Sequence, residues 1–222
     1  MPFTLLLLAL SVAALDWAAV GKGWRKVEII AKPWVILILF IWLWQVSGFR
    51  GQLAWFAVGL GFSLVGDILL IPPKEKFILG FITFLLVHLS YAIGFNPTLP
   101  PLQLSSGLIA LLVGLTSLQI YLRLAAALQS RGISILKPPF AVYTIAISLM
   151  LLSALFTLVR AEWPALASLS AVIGALFFYL SDTLLAWNKY VAPFRLGRLP
   201  SMVCYHLGQI LITLGATLFF VG

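Results

Sequence analysis

Residues 165–186 read ALASLSAVIGALFFYLSDTLLA, 22 residues with a single ionisable side chain, Asp182. At ~1.5 Å per residue a helix of that length reaches ~33 Å, about the hydrocarbon thickness of a bilayer. An ionised carboxylate in that setting costs at least ~2.5 kcal/mol. A partner, a water-filled cavity or a proton must offset the cost. The chain carries the anomaly twice, because FSLVGDILL at 62–70 parallels FFYLSDTLL at 177–185, a small residue and an Asp followed by x-Leu-Leu. After Asp67 and Asp182 alike the next lysine lies seven residues on, at Lys74 and Lys189. Both carboxylates therefore sit ~10 Å along a helix from a cationic end.

Only 9% of the 222 residues are charged and 63% are hydrophobic, against roughly 25% charged in a soluble domain. The mean hydropathy is +1.13. Continuous apolar runs, rather than period-2 alternation, predict an all-α integral membrane protein and not a β-barrel. Eight spans are predicted, at about 2–20, 29–48, 52–71, 77–95, 103–122, 138–159, 164–187 and 201–221, forming one transmembrane domain over 1–222. Gly and Pro mark the short connections. Residues 1–15 lack a positive segment before the apolar run and read as the first span, not as a cleaved signal peptide. Trp17, Trp24, Trp34, Trp163 and Trp187 fall near span ends, where interfacial anchors belong. The lone Cys204 excludes an intrachain disulfide.

The net charge of +8 reads as topology, not as nucleic-acid binding. Odd-numbered connections hold 12 of the 14 cations, and even-numbered ones only Arg50 and Arg160. The positive-inside rule then places the odd loops in the cytoplasm and both termini outside. The pattern also admits two parallel halves of four spans, in which Lys32-Pro33 matches Lys137-Pro138, Asp67 matches Asp182 and His88 matches His206.

With that orientation, polar side chains gather in the cytoplasmic half of seven spans. Ser63 and Asp67 are spaced i,i+4, as are Tyr205 and Gln209; Phe84, His88 and Tyr91 follow i,i+4,i+7, as do Met202, His206 and Gln209. Each set is one partly polar stripe, and together they predict a polar cavity opening toward the inner leaflet. Asp67 and Asp182 are the candidate catalytic pair. Lys32, Ser63, His88, Tyr91, Tyr143, Ser181, Tyr205, His206 and Gln209 are candidates for binding substrate or supporting the acids. Taken singly, either histidine reads first as an interhelical hydrogen-bonder. Asp16 reads as an interfacial residue, and Gly59, Gly61 and Gly174 as helix-packing contacts.

Lys32-Pro33, Ser63-x-x-Gly66-Asp67-x-x-Leu70, Phe84-x-x-x-His88-x-x-Tyr91, Tyr143 with Met150, Gly174-Ala175-x-x-Phe178-x-x-Ser181-Asp182-x-x-Leu185-Ala186 and Tyr205-x-x-x-Gln209 resemble, in order and spacing, the YhhN-like membrane family, whose animal members are lysoplasmalogenases. His206 stands outside that family's pattern. The resemblance covers nearly the whole chain. It implies eight spans, the two Asp motifs as site residues, no cofactor, and a lysophospholipid substrate met in the bilayer of a bacterial inner membrane. The implied reaction is hydrolysis of the lysoplasmalogen vinyl ether to a fatty aldehyde and a glycerophospho-ethanolamine or -choline. Two nearby carboxyls in low dielectric push their pKa values apart and supply one acid and one anion. The sequence leaves open which Asp is which. It also leaves open a proton-coupled transporter, since paired intramembrane acids serve carriers too, and a metal-dependent lipid hydrolase using Asp67, His88, Asp182 and His206. Headgroup preference and oligomeric state are not encoded legibly.

Overall fold

In lipid every backbone N–H and C=O must be satisfied within the chain, so long apolar runs have the helix as their solution. The computed structural model describes residues 3–71, 76–99, 103–193, 195 and 197–222, and these are helical with no strand among them. The helices are α1 (Phe3–Lys22), α2 (Arg25–Ser47), α3 (Leu53–Leu69), α4 (Phe77–Phe95), α5 (Leu104–Ser130), α6 (Lys137–Phe156), α7 (Ala165–Ala186) and α8 (Arg198–Phe220). Seven of the helical segments are long and apolar enough to cross a membrane, and α3, at 17 residues, is shorter. The chain is an all-α integral membrane protein. Lys74 lies outside the described residues, so its distance from Asp67 is not part of the site.

Local chemistry sets the ends. Gly48 closes α2 in the left-handed region (φ 56°) and returns its N–H to Trp44 O, the common glycine stop. Pro138 and Pro139 occupy the first turn of α6, where no N–H is missed. Two boundaries depart from hydropathy. α5 runs eight residues past the expected 122, because Ala125–Ala127 are strong helix formers and Leu124 and Leu128 still bury against Phe140 and Tyr190. α7 does not stop at 187 but widens into a π-turn, Trp187–Val191.

α7 and α8 approach most closely. A Cβ on Gly174 would lie 2.5 Å from Ile212 N and 2.9 Å from Gly208 O, and one on Gly215 would lie 2.6 Å from Ala171 N. Small residues are what allow two backbones this near in a membrane. Gly61, in contrast, faces open space, so it is not the packing contact its sequence context suggests. Trp24 and Trp34 are exposed as interfacial anchors should be, whereas Trp163 is buried and stacked 4.0 Å from Phe219. Arg160 is an internal cap. Its guanidinium donates to Phe95 O (2.6 Å), Asn96 Oδ1 (2.9 Å) and Thr98 O (3.1 Å), satisfying carbonyls at the end of α4. α5 is the peripheral helix, with most of its surface outward.

Gly174→Ala forces backbone apart at the α7–α8 seam, an overpacking of ~1–3 kcal/mol. The detergent-solubilised variant should melt roughly 2–10 °C below the parent. Gly61→Ala, which meets nothing within 4 Å, should leave Tm unchanged or raise it.

Candidate active site

The i,i+4 spacing of polar residues on α3 and α8 joins the two helices at successive turns. Tyr205 Oη donates to Asp67 Oδ2 at 2.9 Å, and one turn away Gln209 Nε2 donates to Ser63 Oγ at 2.7 Å. α2 adds the charge: Lys32 Nζ lies 3.1 Å from Asp67 Oδ1. α4 reaches the same network through Tyr91, whose hydroxyl donates to Gln209 Oε1 at 2.5 Å. Asp67, Ser63, Tyr91 and Gln209 are all fully buried.

Asp182 on α7 has different company. Tyr143 Oη of α6 donates to its Oδ2 at 2.5 Å, and His88 Nε2 of α4 lies 2.9 Å from the same oxygen. His88 Nε2 is also 3.1 Å from Tyr143 Oη. The hydrogen-bond partners of Asp182 are a phenol and an imidazole. Imidazole can accept a proton or give one; His88 and Asp182 can therefore hold one proton between them. The Asp182 side chain keeps 14% of its surface open, whereas Asp67 keeps none. Each acid thus takes one partner from the preceding helix (Lys32 on α2, Tyr143 on α6) and one from α8 or α4. The counterpart of His88 in this exchange is Tyr205, not His206.

Both acids line one cavity of about 940 Å³, counting its open mouth. Lys32, Tyr143, Ser181, Lys189 and Tyr205 share its wall with them, and the remainder is largely apolar: Phe77, Phe81 and Phe84 of α4, Leu124 of α5, Phe140 and Ile147 of α6. Phe178, one turn before Asp182, packs edge-on against His88 (4.8 Å) and Tyr205 (5.5 Å). One buried ring therefore fixes the spacing between the two networks.

The sequence-predicted residues divide by place. Asp67, Asp182, Lys32, Tyr143, Ser181 and Tyr205 lie on the cavity; His88 stands directly behind Asp182. Ser63, Tyr91 and Gln209 form a hydrogen-bonded chain beneath Asp67 and do not line it. Ser181 Oγ is committed to Ser201 O at 2.8 Å, a tie between α7 and the start of α8. His206 lies away from the cavity, its Nδ1 accepting from Trp17 Nε1 at 3.1 Å. Asp16, expected at an interface, is wholly buried beside it, its Oδ2 3.9 Å from His206 Nδ1. A 2-His-2-Asp metal set is therefore not assembled. Among the described residues no group of three His, Cys, Asp or Glu is placed to hold a metal. Sequence reasoning missed the wall contributed by α5 and the π-turn. α5 carries no polar signature at Leu124, and only the Asp182–Lys189 spacing hinted at the second cation.

The profile of the YhhN family matches residues 27–216. The chain belongs to the YhhN family. Among related proteins, lysoplasmalogenase TMEM86B of Homo sapiens is 36% identical over 197 residues, covering 87% of this chain and 76% of its own length. Lysoplasmalogenase TMEM86B of Rattus norvegicus is 32% identical, with 87% and 74% covered. The membrane protein YhhN of Escherichia coli O157:H7 is 26% identical over 86% of this chain and 87% of its own. No solved structure matches. The YhhN match begins at Val27 and so spans every residue of both carboxylate networks.

Removing one member of a buried pair strands the other, typically at ~3–5 kcal/mol. Lys32→Met should therefore destabilise the solubilised protein strongly, while Lys32→Met with Asp67→Asn should recover much of the loss. Thermal unfolding of the parent, both single variants and the double variant measures the coupling.

Proposed function

We propose that this member of the YhhN family hydrolyses the vinyl ether bond of a lysoplasmalogen inside the membrane, with Asp182 as acid and Asp67 as anion. The observation that carries the proposal is the unequal partnering of two carboxyls on one apolar-walled cavity. Asp67 is held against Lys32, whose ammonium favours the carboxylate form. Asp182 shares its inner oxygen with His88, which can keep a proton in reach, and it is the acid open to the cavity.

The chemistry balances on these groups. The Asp182–His88 couple gives a proton to the outer alkene carbon, so R–CH=CH–O–R′ becomes the oxocarbenium R–CH2–CH=O⁺–R′. The Asp67 carboxylate stabilises that cation and orients a water, as the paired carboxyls of glycosidases do with a related cation. Water adds at the positive carbon and its surplus proton returns to Asp182. The hemiacetal R–CH2–CH(OH)–O–R′ then collapses to the aldehyde R–CH2–CHO and the alcohol HO–R′, a glycerophospho-ethanolamine or -choline. Tyr143 follows the charge on Asp182 by its 2.5 Å hydrogen bond.

The apolar wall suits a single hydrocarbon chain, in keeping with a lyso-lipid. The headgroup phosphate belongs to the cationic part of the same wall, where Lys189 Nζ lies 4.1 Å over the Phe77 ring. A carrier would need polar lining across the other half as well; there the large core side chains are Trp42, Phe56, Phe95 and Leu39, and the buried Arg160 is committed to the end of α4. The charge bias of the loops supports an inner-membrane orientation with the cavity toward the cytoplasmic leaflet and both termini outside.

Purified protein given a lysoplasmalogen should release free aldehyde at a rate unaffected by EDTA. Asp182→Asn and Asp67→Asn should each lower kcat roughly 10²–10⁴-fold in folded protein, with the double variant little worse than the worse single one. Full activity in either would remove the two-carboxyl mechanism. Lys189→Met should mainly raise KM, whereas Lys32→Met should mainly lower kcat. A reporter fused after Gly222 should be external; a cytoplasmic signal would reverse the assigned orientation.

A further inference from the structure

The hydrolytic water needs a way in, and the cavity that admits lipid is walled by hydrocarbon and aromatic rings. A second polar feature lies on the other face of the Lys32–Asp67 pair. Where α1, α2 and α8 meet, Glu28 and Lys32 stand one turn apart on α2, Asp16 and Trp17 face them from α1, and Arg198 and His206 from α8. Arg198 pairs with Glu28 at the outer end, and its side chain is 48% exposed there. A Cβ on Gly21, at the end of α1, would lie 3.7 Å from Leu199 Cδ2, so α1 and α8 lie close at this end.

Within the junction the hydrogen bonding is incomplete. Both Asp16 oxygens and His206 Nε2 are buried with no hydrogen-bond partner among the described residues. An indole N–H can only donate, so His206 Nδ1 accepts from Trp17 and Nε2 carries the remaining hydrogen. Pro33, lacking an N–H, also frees the Ile29 carbonyl of its helical donor. Asp16 lies within electrostatic reach of Lys32, Glu28, Asp67 and Arg198. Unpartnered buried groups of this kind cost several kcal/mol in an apolar medium. A run of buried acceptors and one donor, left without protein hydrogen bonds, is the polar setting in which internal water binds. Asp16, Glu28, Trp17 and His206 do not line the lipid cavity, whereas Lys32, Asp67 and Tyr205 do.

We propose that α1, α2 and α8 enclose a water-binding seam, running from the Glu28–Arg198 pair past Asp16 to Lys32, which delivers water to Asp67 separately from the lipid. The role of that water as nucleophile rests on the hydrolytic reading above; the seam itself does not. It gives Asp16 and His206 a use that neither the carboxyl pair nor the cavity explains. The Glu28–Arg198 pair closes its outer end.

Cysteine accessibility separates the two compartments. With Cys204→Ser as background, cysteine is placed at Asp16, at Ala19 (buried one turn nearer the outer end), and at Ile147 on the lipid cavity. Each is treated with the small cation 2-aminoethyl methanethiosulfonate in detergent, with and without a saturating lyso-ether phospholipid that lacks the vinyl bond. The expected result is labelling of Asp16→Cys and Ala19→Cys whether or not lipid is present, and protection of Ile147→Cys by lipid. Failure to label either seam position, while a cysteine at Lys22 reacts, overturns the seam. Protection of both by lipid overturns its separateness. Labelled Ala19→Cys should lose at least ~10-fold in kcat against the same unlabelled variant, with KM unchanged; full kcat after labelling overturns water delivery. Absence of vinyl-ether hydrolysis in the parent would instead reject the reaction and leave the labelling arm readable.

Discussion

A lysine and an aspartate 3.1 Å apart inside an apolar bundle set the terms for everything near them. Stripping two charges of water costs several kcal/mol each, and their attraction offsets this only when geometry is good and remaining hydrogen bonds are filled. The bundle supplies both conditions. α2 brings Lys32 to Asp67, Tyr205 fills the second oxygen, and Gln209 and Ser63 join α8 to α3 one turn below. The Gly174–Gly208–Gly215 approach holds α8 against α7, and Phe178 carries that position into the His88–Asp182 network. The ion pair fixes three helices, and a fourth follows from them.

The two acids are alike in sequence and unlike in surroundings, and the difference is in the partner's charge. A fixed ammonium faces Asp67, whereas an imidazole and a phenol face Asp182. The proposed reaction builds a cation beside one carboxyl after taking a proton from the other, and so uses that difference.

Much of this was legible because intramembrane charge is costly and therefore conspicuous. Asp67, Asp182 and Lys32 stand out against apolar runs, and i,i+4 spacing alone paired Ser63 with Asp67 and Tyr205 with Gln209. What sequence could not supply was which helix faces which. His88 and His206 occupy matching places along the chain, yet one meets Asp182 and the other meets Trp17. Asp16 lies near a span end, which reads as interfacial until α2 and α8 are seen to cover it. The α5 wall was invisible for a simpler reason: Leu124 lines the cavity with the same chemistry that lipid-facing leucines use. Lys189 needed the π-turn, a backbone feature with no hydropathy signature.

An enzyme that hydrolyses an amphiphile in a bilayer must keep its two reactants in unlike media until they meet. Hydrocarbon enters most readily through an apolar wall, and α4, α5 and α6 present one. Water crosses such a wall poorly and would, if abundant, solvate both carboxyls and level the difference between them. A polar seam arriving behind Lys32 resolves the conflict, because it brings water to the ionised acid first and leaves the His88–Asp182 couple on the dry side. On this arrangement the ion pair is also the boundary between compartments, with the lipid cavity on one side of Lys32 and Asp67 and the seam on the other.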